Sequence, residues 1–190
     1  MLSRADLDDR SRYLNARMAL SRLHELEAIP IINENDTVAT EELRFGDNDQ
    51  LAAMTCGLVE ADLLVILSDV EAVFDIAVDE DGETTFTDRI DRIESEDPKL
   101  VEVAGPSTSG VGSGGMASKV DAARLAARMG VPTVIARGKR AGVLEAIAGG
   151  EDVGTLIVPS GEATLAGKKV WLGTGARAVG TILCDAGAVR

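Results

Sequence analysis

The stretch Ser109-Gly-Val-Gly-Ser-Gly-Gly-Met-Ala-Ser-Lys119 constrains this chain more than any other: four glycines fall within six residues, and a helix-forming run with a lysine follows at once. Glycine lets backbone N–H groups approach an anion with no Cβ between them. The start of a helix adds partial positive charge, and Lys119 sits one turn in, within reach of a phosphate. The segment therefore reads as a phosphate cradle, in a chain that handles a nucleotide. A flexible linker shares this composition, yet linkers seldom feed directly into a helix with amphipathic spacing.

Two glycine motifs fail on inspection. Gly110, Gly112 and Gly115 satisfy G-x-G-x-x-G, but a dinucleotide fold wants a strand just before and an acid about 20 residues on, closing the next strand. Here Ala104-Gly-Pro-Ser-Thr-Ser109 precedes, and the next expected strand, Val131 to Ala136, ends in Arg137. The Walker pattern fails because Met116 and Ala117 stand where Lys and Ser/Thr are required.

Composition narrows the partners. With 45% hydrophobic and 27% charged residues among 190, the chain is that of an ordinary globular protein. It is long enough for one core burying roughly 70% of the unfolded surface. No apolar run approaches the ~20 residues of a membrane span. The charged start, Ser3 to Arg10, lacks a signal peptide's apolar segment, so the expected location is the cytoplasm. Cys56 and Cys184 have no metal spacing and read as reduced, non-catalytic thiols. A formal charge of -13 argues against nucleic acid as a partner. Only five of the nineteen basic residues are lysines, and this acid-rich, lysine-poor composition suits a high-salt interior.

Along the chain, residues 5–28 read as a long helix with Ser3 as cap, Asp6 three residues later, and Leu7, Leu14, Met18 and Leu26 at helical spacing. A short buried strand is expected at 29–32, a polar loop at 33–49, a helix at 50–60 and a central strand at 62–67 ending at Ser68-Asp69. An excursion over 71–97 contains a solvated hairpin turn, Asp79 to Glu83. Helix 117–129, strand 131–136, helix 141–148 and strand 154–158 follow. This alternation means an α/β fold with a mostly parallel sheet covered on both faces. Ligands gather beyond the carboxyl ends of such strands, where Asn33, Asp69 and Arg137 fall. Residues 160–167 resemble a linker, and two strands of something separate follow.

A second chemical signal is Ile32-Asn-Glu-Asn-Asp36 followed by Gly46-Asp-Asn-Asp49, which packs seven carboxylate or carboxamide side chains into two short bends. Such groups can hold the amino and carboxyl ends of a small polar substrate, or orient a lysine or a magnesium shell. The same residue types also make turns and caps. Taken with Leu67-Ser-Asp69 and Gly112-Ser-Gly-Gly-Met-Ala-Ser-Lys119, in this order and spacing, the motifs resemble the glutamate 5-kinase family of the amino-acid kinase superfamily. The resemblance spans essentially the whole chain, and the first two motifs separate that family from carbamate, acetylglutamate and UMP kinases. It implies a three-layer αβα sandwich and ATP-dependent phosphorylation of the γ-carboxylate of L-glutamate, the first step toward proline. It also implies Mg²⁺ carried on the ATP phosphates with no separate metal site, a homodimer or tetramer, and proline as feedback inhibitor.

By the same resemblance Asp36 and Asn48 bind glutamate, and Asn33 and Asp47 line its pocket. Ser68 and Asp69 match a nucleotide-binding pair, and Ser113, Gly114, Gly115, Met116, Ala117, Ser118 and Lys119 match the segment that wraps ATP. Asp49 matches an acid that holds catalytic lysines in place. Lys119 is one of those lysines, neutralising charge in a transfer that depends mainly on positioning and electrostatics. The family's organisation divides the chain into kinase-domain residues 1–159, a linker at 160–167 and the beginning of a PUA-like domain at 168–190. Against the family, the chain lacks an opening strand with a lysine and a Gly-Thr/Ser turn, and a later Ser-Gly-Ala turn. The 190-residue piece is therefore expected to be inactive or nearly so by itself. Ala72 stands where glycine is common, which bears on the shape of that loop. Two other readings stay open: another small-acid or phosphate kinase of the superfamily, and a non-catalytic nucleotide-binding remnant.

Overall fold

The computed structural model describes residues 1–35, 47–78, 84–105 and 115–161. Ser3 opens the first helix, α1 (Arg4–Asp8), and both its N–H and its hydroxyl donate to the Asp6 carboxylate at 2.7 Å. The single helix expected over residues 5–28 is two. Asp9 adopts an extended conformation, ends α1, and caps α2 (Arg10–Glu25) by accepting the Arg12 N–H at 2.9 Å. The break resets the phase of the apolar stripe. Tyr13 and Leu20 of α2 are buried in a cluster with Leu7, whereas Leu14, Met18 and Leu26, read from sequence as the inward face, are 40%, 63% and 62% exposed.

The buried strand expected at 29–32 is likewise not found, and Ile29 and Ile31 are 91% and 96% exposed. A strand needs a neighbour for its N–H and C=O groups. Here, among the described residues, pairing is confined to one parallel bridge between Leu2 and Glu34. The next helix, α3 (Asn48–Val59), begins two residues earlier than expected because Asp47 caps it, accepting the Gln50 N–H at 3.0 Å. Asn48 and Asp49 thus belong to a helix's first turn rather than to a polar loop. Leu51, Met54 and Leu58 of α3 join the Leu7–Tyr13–Leu20 cluster, and the Tyr13 hydroxyl donates to the Gly57 carbonyl at 3.0 Å.

Strand β1 (Leu64–Ser68) leads into an antiparallel hairpin, β2 (Phe74–Val78) with β3 (Thr84–Arg89), then β4 (Arg92–Glu94), α4 (Pro98–Ala104), α5 (Met116–Arg128), β5 (Thr133–Arg137), α6 (Val143–Ala148) and β6 (Thr155–Val158). The main sheet has the order β1-β5-β6-β4, with β1/β5 and β4/β6 parallel and β5/β6 antiparallel. Two of its three pairings are thus parallel, as the α/β reading requires. β1, expected to be central, stands at one end of this order among the described residues.

Alternation along β5 explains the layering. Ile135 enters the main core with Leu64, Ile66, Leu100, Val120 and Ala123, while Val134 and Ala136 pack on the opposite face with Val143 of α6. Helices therefore cover both faces, and a strand buried on both faces reads as a continuous apolar run. Two devices lock β6 in place. The Thr155 hydroxyl donates to the Ile90 carbonyl at 2.6 Å and accepts the buried Val73 N–H at 2.8 Å. Gly154, at φ +72, lies so close to β5 that a Cβ there would sit 2.2 Å from the Ile135 carbonyl oxygen. Ala72 is buried, and its backbone is not among the left-handed residues, so the loop after β1 accepts alanine where glycine is common. Among the described residues no helix is long and apolar enough to cross a membrane. The expected turn at 79–83, the segment 168–190, residues 162–167 of the linker, and Cys184 lie outside the described residues.

Candidate functional site

The starts of α3 and α5 meet, bringing Asp47 and Asp49 of one sequence signal against Ser118 and Lys119 of the other. Lys119, 8% exposed, donates from Nζ to Asp49 Oδ2 at 2.9 Å. One residue earlier, the Ser118 hydroxyl donates to Asp47 Oδ2, while the other Asp47 oxygen caps α3. Two successive residues of α5 thus grip two acids of α3 that also set how that helix begins. Burial raises the Asp47 pKa, and the negative charge of Asp49 adds to this, against the pull of Lys119 and the backbone hydrogen bonds from Gln50 and Asp49.

Ser68 and Asp69 stand at the carboxyl end of β1, where the Ser68 hydroxyl donates to Asp69 Oδ1 at 3.1 Å. That hydrogen bond is the first cause lowering the Asp69 pKa, and the Lys119 charge adds to it. Asp69 also borders a cleft of about 840 Å³ between the β2/β3 hairpin, the end of α4 and the start of α5. Phe74, Ile76, Phe86, Val103 and Met116 supply its apolar surface, and Glu71, Glu102 and Arg137 further charge. Of these, Met116 belongs to the segment that the resemblance matches to ATP binding. The hairpin aromatics were missed, although the apolar positions of two short strands flanking Asp79–Glu83 were their visible signal.

Gly115 caps α5 in an extended conformation, and a Cβ built on it would meet nothing within 4 Å among the described residues. Neither the backbone nor the packing of the described residues requires glycine at this position. Ala117 occupies the first turn of α5 between Met116 and Ser118.

The remaining residues are distributed differently. Asn48, exposed in the first turn of α3, borders a separate, mainly apolar cleft of about 360 Å³ with Pro30, Ile32, Leu51 and Val59. Asn33 is exposed, and its carbonyl accepts the Leu2 N–H at 3.0 Å; it does not stand at the end of a strand, because no strand forms before it. Asp36, Ser113 and Gly114 lie outside the described residues. Cys56, bordering the same small cleft as Asn48, is pushed up to about 11 by burial, which fits an inert thiol.

A model of the amino acid kinase family matches residues 2–137. The chain belongs to that family. Among similar amino acid kinases, a glutamate 5-kinase of Pseudomonas putida is 47% identical over 190 residues, covering all of this chain and 50% of that protein. A glutamate 5-kinase of Chromohalobacter salexigens is 48% identical over 190 residues, covering all of this chain and 49% of that protein. The chain thus spans about half the length of the curated relatives it matches. A UMP kinase from Bacillus anthracis superposes with a TM-score of 0.51 at 17% identity, covering 76% of this chain and 52% of that one, which bears on the fold alone. In this member of the family the central sheet, the helix pair α3/α5 and the cleft beside them are all present among the described residues.

Proposed function

We propose that this amino acid kinase acts in the ATP-dependent phosphorylation of the side-chain carboxylate of L-glutamate, the opening step of proline formation. The observation that carries the reading is the Lys119–Asp49 pair at the head of α5, 2.9 Å apart, in a chain that matches proteins named glutamate 5-kinase along its entire length. In this reading the base of the nucleotide lies in the cleft of Phe74, Phe86, Val103 and Met116. Its phosphates run past Gly115 toward Lys119. Asp69 contacts the nucleotide at the end of β1, and Asp47, Asn48, Asn33 and Asp36 serve the glutamate side.

The chemistry asked of these residues is positioning and charge. The Lys119 ammonium is held by Asp49 and therefore needs little reorganisation to stabilise negative charge on a phosphoryl group in transfer. The α5 start contributes backbone N–H groups aimed the same way. Mg²⁺ would supply further charge neutralisation, held by phosphate oxygens with one or two carboxylates. Asp69, exposed and partnered by the Ser68 hydroxyl, fits that arrangement. A homo-oligomer and proline feedback belong to the same reading.

The test begins with calorimetric titration of the 190-residue chain with ATP and Mg²⁺. Saturable binding is expected, weakened at least about tenfold in Lys119→Ala, the order expected for losing a charged hydrogen bond. Absence of saturable ATP binding would sink the nucleotide part. L-glutamate, acetylglutamate, carbamate and UMP are then compared for binding in the presence of the nucleotide. A preference for any acceptor but L-glutamate would redirect the substrate assignment within the family.

A further inference from the structure

Positive charge is concentrated at the end of β5, where the phosphoryl-transfer reading makes no use of it. Arg137 closes β5, and Lys139 and Arg140 follow in a turn tied to the end of β1, because the Gly138 N–H donates to the Ser68 carbonyl at 2.8 Å. With Arg89 from the end of β3, these three residues surround a second cavity of about 430 Å³, whose other members are Glu71, Val153 and Gly154.

The four cations are not equally committed. Arg89 is held by Asp91 and Asp152, each at 2.7 Å, and Arg140 stands 3.7 Å from Glu151. Among the described residues Arg137 and Lys139 form no ion pair, and Glu71, the one carboxylate of the lining, pairs with neither. In a chain of formal charge -13 the overall field repels anions. Two cations without an ion pair among the described residues, one closing β5 and one in the turn after it, are then a local exception to that field.

We propose that this pocket is an anion site for a phosphate-bearing small molecule, with Arg137 and Lys139 as its contacts and Arg89 and Arg140 adding to the local potential. Arginine presents a planar fork matched to phosphate, and lysine a point charge. Arg137 and Glu71 also border the larger cleft, so the two cavities share a wall, and an anion in one is felt in the other through a single guanidinium. The site goes beyond the kinase reading and does not depend on it. Its phosphate has two sources, the phosphates of a nucleotide reaching round Arg137 or a separate phosphoanion.

Inorganic pyrophosphate titrated into the 190-residue chain by calorimetry at low salt, without divalent metal, reads the site directly. Saturable one-to-one binding is expected, weakened about tenfold by Lys139→Ala and unchanged by Arg22→Ala, an exposed cation on α2. Both positions are exposed, so their variants should keep the wild-type melting temperature. Repeating the titration with a non-hydrolysable ATP analogue already bound separates the sources. Additive binding that still depends on Lys139 means a separate phosphoanion; mutually exclusive binding that depends on Lys139 means the nucleotide's own phosphates. No saturable binding, binding indifferent to Lys139→Ala, or equal loss in Arg22→Ala overturns the proposal, and none of these bears on whether ATP and Lys119 interact.

Discussion

Asp49 is the residue on which the geometry of the site turns, because it receives the ammonium of a nearly buried lysine. Asp49→Ala removes that partner, and the loss of a charged, largely buried hydrogen bond should lower unfolding stability by about 2 kcal/mol, read as a shift of the urea midpoint at unchanged slope. Asp47 makes a different prediction. Its pKa lies above the ordinary 3.8, with burial as the leading cause. The folded state therefore binds more protons than the unfolded state just above 3.8, and this contribution to stability is present in acid and lost as pH rises through the raised value. Asp47→Asn keeps a good capping residue and should remove that component, flattening stability against pH over that window; an unchanged profile would count against the assignment. The resemblance already named Lys119 and Asp49 as partners. It did not reveal that Ser118 and Asp47 touch, because residues 71 apart in sequence leave no periodic signal of their contact.

At the scale of elements, β6 is held by exclusion as much as by attraction. Gly154 combines a left-handed φ with a backbone approach that a Cβ would obstruct at 2.2 Å. Gly154→Ala should therefore cost well over about 1 kcal/mol, visible as a lowered melting temperature, and should disturb β5 first. Sequence patterns gave α3, α5, β5, α6 and β6 to within two residues, because each carries a cap, a closing glycine or an unbroken apolar run. They failed where a local signal was outweighed. Asp9 can serve either as a residue inside a helix or as the cap of a new one, and capping shifts which α2 face is buried. β4 is three residues long, too short for any period to show. Ile29–Ile32 has the composition of a buried strand, but composition does not supply a partner.

For the whole molecule, charge and edges set the behaviour in solution. A formal charge of -13 repels itself at low ionic strength and is screened over about 10 Å at 0.1 M salt. Stability should thus climb with KCl toward molar concentrations, measured by thermal melts across a salt series; a flat response would remove the case for adaptation to high salt. The free side of β1 among the described residues, with Ile29 and Ile31 exposed, favours association through an unpaired edge, so sedimentation should report species larger than the monomer. The bonds between the α3 and α5 starts have a last consequence, for the order of events during folding. They join positions 70 and 71 apart along the chain, and such long loops close late, after the helices themselves have formed. A refolding chain should therefore regain its helical signal well before it gains the ATP binding proposed above, which makes that binding a clock for the final docking step.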